Sequence, residues 1–164
     1  MNSKIVFLDR DGVINKKRND YVKSWNEFQF LYGVQDALKI FINYGYKIII
    51  ITNQSVINRK IIDEEDLKNI HEKMIIELNK DDIEIDAIYY CPHTPDENCE
   101  CRKPKTGLLK KASEKFDFIP HDCILIGDSI TDIQAGKSFG LKTYLLKKEN
   151  NLLELTKNIL DIKS

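Results

Sequence analysis

Residues 4–12 read Lys4-Ile5-Val6-Phe7-Leu8-Asp9-Arg10-Asp11-Gly12. Ile5 to Leu8 form an unbroken apolar run, which reads as a buried strand, and the run ends abruptly on two carboxylates spaced two residues apart. Like charges crowded at the end of a buried strand repel each other, and a divalent cation is the natural compensation. Oxygen-only ligation favours Mg²⁺, which takes one or two carboxylates together with waters and a substrate phosphate. The competing reading is an acidic turn in which Asp11-Gly12 simply closes a loop.

Outward from this stretch, β-rich runs alternate with amphipathic ones. The spacing predicts a helix over Val34 to Tyr44, closed by Gly45, then a strand over Lys47 to Thr52 and a helix over Glu64 to Asn79 capped by Asp63. A strand at Ile85 to Tyr90 follows, then helix 107–116, strand 123–126, helix 131–138, strand 142–146 and a last helix in the tail from Asn151. This order predicts an α/β fold: a doubly wound, Rossmann-like parallel sheet with right-handed crossovers. Ligands of such sheets sit outside the carboxyl ends of the strands, so the loops after Leu8, Ile51, Tyr90 and Ile126 are expected to converge.

Those loops hold the unusual polar residues. Ile126-Gly127-Asp128-Ser129-Ile130-Thr131-Asp132 places a second carboxylate pair after another buried strand. Asp128 is suited to complete the metal site; Asp132 is either a first-turn helix cap or a group that orients metal waters or a lysine. Thr52-Asn53-Gln54-Ser55 offers hydroxyls, amides and backbone N–H groups, either as a phosphate cradle or as a self-bonded polar turn. The third loop ends in Arg102-Lys103-Pro104, two cations fit to hold an anionic group and to offset charge during phosphoryl transfer.

The third loop also carries Cys91, His93, Cys99 and Cys101 within eleven residues. Three thiolates and an imidazole suit a closed, tetrahedral structural Zn²⁺ site, although reduced thiols or a redox pair also fit a spacing that departs from the common C-x₂-C form. Cys123, in an apolar strand, reads as a small buried hydrophobe. His71 and His121 offer no evident partner and read as structural or surface residues. Tyr21, Trp25 and Phe28 are candidates for a crevice wall or for core packing.

The remaining features bound the answer. The 164 residues fit one domain over 1–164, and 42% hydrophobic with 31% charged residues is ordinary for an ordered globular chain. Lys and Arg number 25 against 26 acidic residues, so no net field draws the chain to nucleic acid or an anionic membrane. No run approaches the roughly 20 apolar residues of a membrane span, and no secretory signal is visible. The expectation is a cytoplasmic monomer.

Taken together, Asp9-Arg10-Asp11-Gly12, the Thr52-Asn53-Gln54-Ser55 loop, Lys103 and Gly127-Asp128-Ser129-Ile130-Thr131-Asp132 resemble the four ordered motifs of the haloacid dehalogenase superfamily of phosphatases. The Cys91 to Pro104 insert resembles that of the D-glycero-D-manno-heptose 1,7-bisphosphate 7-phosphatases and their histidinol-phosphate phosphatase relatives. The resemblance spans Lys4 to Leu146. It implies Asp9 as nucleophile, Asp11 as general acid/base, and Mg²⁺ held by Asp9, the Asp11 carbonyl and Asp128. It further implies Thr52 and Lys103 on the transferred phosphoryl group, Asn53 and Arg102 on the rest of a phosphorylated sugar or polyol, and Zn²⁺ in the insert. A short zinc loop would stand where other members carry a large cap domain. An inactive scaffold serving as a zinc-bearing binding module is the alternative of a different class; a polynucleotide 3′-phosphatase also shares the motifs, but the near-neutral charge of this chain and its lack of an evident basic, aromatic groove argue against that reading. Relatives usually place glycine where this chain has Val56 and Lys60, which bears on loop shape and so on the identity of the sugar.

Overall fold

The computed structural model describes residues 2–163. Ten regular elements alternate along the chain: β1 (Lys4–Leu8), α1 (Val34–Asn43), β2 (Tyr46–Asn53), α2 (Glu64–Asn79), β3 (Ala87–Cys91), α3 (Gly107–Lys115), β4 (Ile124–Gly127), α4 (Ile130–Phe139), β5 (Lys142–Leu145) and α5 (Leu152–Ile159). Short 3₁₀ turns add Trp25–Glu27, Pro95–Glu97 and Pro120–Asp122. The strands form one sheet in the order β3-β2-β1-β4-β5, and every pairing is parallel.

Period-two alternation in the strands explains the double winding. Val6, Leu8, Ile48, Ile50, Ile124 and Ile126 face a core completed by Ala37, Leu38 and Phe41 of α1, Ile70 and Met74 of α2, and Leu152 of α5. Ile5, Phe7, Ile49, Ile51 and Leu125 face the other core, with Leu108 and Ala112 of α3 and Ala135 of α4. Because both faces are covered, β-branched residues run without polar interruption, as the sequence predicted.

Boundaries differ from the expected ones by a residue or two, with local causes. β3 starts at Ala87 rather than Ile85 because Asp86 turns its carboxylate to the N–H of Ile48 at 2.8 Å, occupying the edge ahead of the strand. α2 spans its expected residues. Asp63 accepts the N–H of Asp66 at 2.8 Å while Asp66 accepts that of Asp63 at 3.1 Å, a reciprocal cap. Trp25 stacks on Phe28, Phe30 meets both edge-on and the group packs in the first core, so of Tyr21, Trp25 and Phe28 only Tyr21 lines the crevice. No described helix is long and apolar enough to cross a membrane.

The strand order reverses direction at β1. β1 lies between β2, the start of one leg, and β4, the start of the other, so the loops after these strands open around a single point at their carboxyl ends. The connections above that point, residues 9–33, 54–63 and 92–106, carry loops, single turns and two isolated β-bridges, and among the described residues no cap domain stands over the sheet.

Candidate active site

A crevice of roughly 430 Å³ opens at this edge and is lined by Asp9, Asp11, Asn53, Arg102, Lys103, Asp128 and Asp132, among others. Asp9 follows the last residue of β1. Its backbone N–H is held by the carbonyl of Ile126 at 3.1 Å, which fixes the aspartate beside β4. One carboxylate oxygen each from Asp9, Asp128 and Asp132 lies within 4.8 Å of the others. Oδ1 of Asp128 is buried with no hydrogen-bond partner, an orphaned acceptor on a residue of this cluster. That donor set, hard oxygens with one lone pair unspent, fits Mg²⁺.

Two glycines make the approach possible. A Cβ on Gly12, which sits at φ +91°, would collide with the carboxylate of Asp128, and one on Gly127 would collide with that of Asp132.

Lys103 reaches into the acidic cluster from the third loop. Its Nζ lies 2.5 Å from Asp132 and 3.0 Å from Asp9 and donates to the carbonyl of Ile51 at 2.9 Å. Burial presses its pKa down, yet Asp9 and Asp132 outweigh burial and hold it above the ordinary lysine value, so the ammonium is retained. The other oxygen of Asp132 accepts the N–H of Ser129 at 3.2 Å as a helix cap. Burial raises Asp9 to about 7, Lys103 opposes the rise, and Asp132, Asp11 and Asp128 add to it. A bound cation would reverse that shift.

Asp11 points elsewhere. Its Oδ1 accepts from Arg10 Nη2 at 2.8 Å and Asn15 Nδ2 at 2.9 Å, with Arg10 Nε at 3.3 Å, and its Oδ2 accepts from Gln54 Nε2 at 2.8 Å. Burial raises its pKa, but Arg10 and the amide donors more than compensate and leave it lowered. Arg10 is completely buried, and so is its partner His71 apart from a 7% fringe. Sequence reasoning left His71 without a partner, gave Arg10 and Asn15 no role and read Gln54 only as part of the polar loop after β2; a fully buried arginine carries a signal only once the fold is known.

At the end of β2, Thr52 is fully buried and its hydroxyl accepts from Gln54 at 2.9 Å. Asn53 clasps the Lys103 peptide unit from both ends, accepting its N–H at 3.0 Å and donating to its carbonyl at 3.3 Å. Arg102 lines the crevice and donates to the carbonyl of His93 at 3.2 Å.

Cys91, His93, Cys99 and Cys101 converge, with Sγ of Cys91 3.0 Å from that of Cys101 and 3.5 Å from that of Cys99. Nδ1 of His93 is 3.3 Å from Cys91 and 3.2 Å from Cys101. A tetrahedron with bonds of about 2.3 Å has sulfur–sulfur edges of about 3.8 Å, so these four atoms fit a closed Zn²⁺ site after slight expansion. None of the four cysteines is in a disulfide.

A family model described as polynucleotide kinase 3 phosphatase matches residues 4–151. The chain is 42% identical to the D-glycero-alpha-D-manno-heptose-1,7-bisphosphate 7-phosphatase of Campylobacter jejuni, over 99% of its own length and 95% of that protein. It is 40% identical to the D-glycero-beta-D-manno-heptose-1,7-bisphosphate 7-phosphatase of Neisseria meningitidis serogroup A, over 87% of this chain and 76% of that one. The crystal structure of D,D-heptose 1,7-bisphosphate phosphatase from B. bronchiseptica, complexed with magnesium and phosphate, matches with a TM-score of 0.88 at 30% identity, covering 98% of this chain and 99% of that one. The chain is therefore a phosphatase, a phosphoric monoester hydrolase of the haloacid dehalogenase superfamily, and belongs to the polynucleotide kinase 3 phosphatase family alongside the heptose-bisphosphate 7-phosphatases.

Proposed function

We propose that this chain removes the 7-phosphate of D-glycero-D-manno-heptose 1,7-bisphosphate, in the assembly of nucleotide-activated heptose for a surface glycan. The observation that carries the phosphoryl chemistry is Asp9 held 3.0 Å from Lys103 in a cluster where Asp128 keeps an unspent buried oxygen. The substrate reading rests on the relatives' names and on a crevice rimmed by Arg102, Arg59, Lys17 and Arg18, cations suited to a second anionic group.

In the proposed reaction a carboxylate oxygen of Asp9 attacks phosphorus, and the bond from phosphorus to the sugar oxygen breaks. Asp11 gives a proton to the departing alkoxide. Asp11 then takes a proton from water as that water attacks the aspartyl phosphate, which releases inorganic phosphate and restores Asp9. Asp9, Asp128 and the Asp11 carbonyl would hold Mg²⁺, which would supply positive charge to the phosphoryl oxygens. Lys103 adds fixed positive charge beside Asp9, while Asp132 keeps Lys103 in place. Asn53 braces the peptide from which Lys103 projects, and Thr52 supports Gln54 from below. Zn²⁺ at Cys91, His93, Cys99 and Cys101 ties down the loop that presents Arg102 and Lys103. Residues 1–164 act as one domain and, since one chain completes the crevice, as a monomer. The clustered reduced thiols suit the cytoplasm.

Initial rates on both anomers of the heptose bisphosphate, on histidinol phosphate and on an aryl phosphate test the assignment. A kcat/KM for one heptose anomer at least about a hundredfold above the other compounds is expected. Equal rates across the panel, or a preference for histidinol phosphate, overturn the substrate.

A further inference from the structure

His71 is a buried imidazole that the phosphoryl chemistry does not use. It lies on α2, and its Nε2 is 3.0 Å from Nη1 of Arg10, sixty-one residues away. An arginine has only donors, so the imidazole accepts through Nε2 and is neutral; burial, joined by the Arg10 charge, lowers its pKa to about 3. Arg10 is thus held from behind by His71, lies 5.9 Å from the ring centre of Phe28, and turns Nε and Nη2 onto Oδ1 of Asp11.

The donors are distributed unequally over the two oxygens of Asp11. Oδ1 receives Arg10 through two nitrogens and Asn15, whereas Oδ2 receives Gln54 alone. A proton placed on Oδ1 would displace a charge-assisted bond. A proton on Oδ2 leaves that clamp intact. We infer that His71 is a positioning residue which, through Arg10, pins Oδ1 of Asp11 and so makes Oδ2 the oxygen that carries the proton to and from the reacting group. The inference rests on the proposed acid/base role of Asp11, and it gives the motif's Arg10 and the unclaimed His71 one common task.

General acid catalysis matters most when the leaving oxygen is strongly basic, so a misdirected Asp11 penalises an alkyl phosphate and spares an aryl phosphate. A disturbed fold penalises both. The test is kcat/KM, which reports transfer to Asp9, for a sugar phosphate and for p-nitrophenyl phosphate. For His71→Leu we expect a loss of about tenfold or more on the sugar phosphate and within about threefold on the aryl phosphate. His71→Gln, whose amide oxygen can accept from Arg10, is expected to recover most of the sugar-phosphate rate. Equal losses on both compounds, no loss on either, or failure of glutamine to recover the rate overturns the positioning role. Should His71→Leu not fold, Arg10→Lys makes the same separation, because an ammonium cannot reproduce the planar fork that sets two nitrogens on Oδ1 of Asp11 while a third meets His71. Asp11→Asn is measured alongside: if it too loses equally on both compounds, the acid/base reading itself fails, whereas a selective loss there with none in His71→Leu refutes only the role of His71.

Discussion

Nζ of Lys103 stands 2.5 Å from Oδ1 of Asp132, an ion pair in which both side chains are almost wholly buried. Removing one partner of a buried pair strands the other charge, at a cost of about 3–5 kcal/mol when no second partner remains. Asp9 is such a second partner here, so Asp132→Asn is expected to lower the unfolding free energy by about 2–3 kcal/mol and kcat/KM by about 10–100-fold. Asparagine keeps one oxygen for the Ser129 cap but turns its amide nitrogen to Lys103, so the substitution removes both the charge and the acceptor that face the ammonium. Urea unfolding with parallel kinetics checks it; an unchanged midpoint and rate contradict it.

His71 makes stability depend on pH. Its folded pKa of about 3 lies below the ordinary value of 6.5, with Arg10 and Asp11 facing it and the Tyr90 ring packed at 6.5 Å. Between those values the unfolded chain holds a proton that the folded chain lacks. Stability from this group is therefore complete above about pH 6.5 and is lost on acidification, by up to about 1.4 kcal/mol per pH unit. Urea midpoints at pH 7.5, 6 and 5 are expected to fall more steeply for wild type than for His71→Gln. Parallel lines would contradict the assignment.

The zinc loop yields a third expectation. Purified protein should hold one equivalent of Zn²⁺, lost in Cys101→Ser. Stripping with a chelator should lower Tm by at least about 5 °C, since structural zinc contributes several kcal/mol to folding. Because Arg102 and Lys103 directly follow Cys101, catalysis should fall together with zinc content. Metal analysis and calorimetry check both; metal-free protein with unchanged Tm refutes the site.

Lys60 adopts φ +58°, the left-handed conformation that favours glycine, whereas buried Val56 does not. Of the two positions where relatives usually carry glycine, only 60 has a backbone reason for it. Lys60→Gly is expected to stabilise the fold by about 0.5–1 kcal/mol, the balance of relieved left-handed strain against glycine entropy. Destabilisation in urea melts would contradict this.

How far the site was readable in the sequence depended on where its residues sit. Asp9 and Asp128 were legible because strand-end position determines where they point, whereas Lys103, in the loop between β3 and α3, was legible through its place in the ordered motifs. The parallel, two-sided sheet was legible because β-branched runs had no polar alternation. His71 was not, because the periodicity of α2 marks its buried face without naming a polar partner sixty-one residues earlier. Thr52 was visible as a hydroxyl after a strand, but the amide of Gln54 that covers it belongs to the conformation of the loop. Asn53 was readable as a polar residue after the central strand, and its clasp on Lys103 depends on the end of β2 meeting a loop fifty residues further on.

Release of inorganic phosphate by the Mg²⁺-loaded enzyme, compared between wild type and Asp9→Asn, tests the nucleophile directly. The geometry predicts Mg²⁺-dependent turnover in wild type and a loss of at least about a thousandfold in a folded Asp9→Asn variant. Turnover that persists in Asp9→Asn would contradict covalent catalysis at this residue.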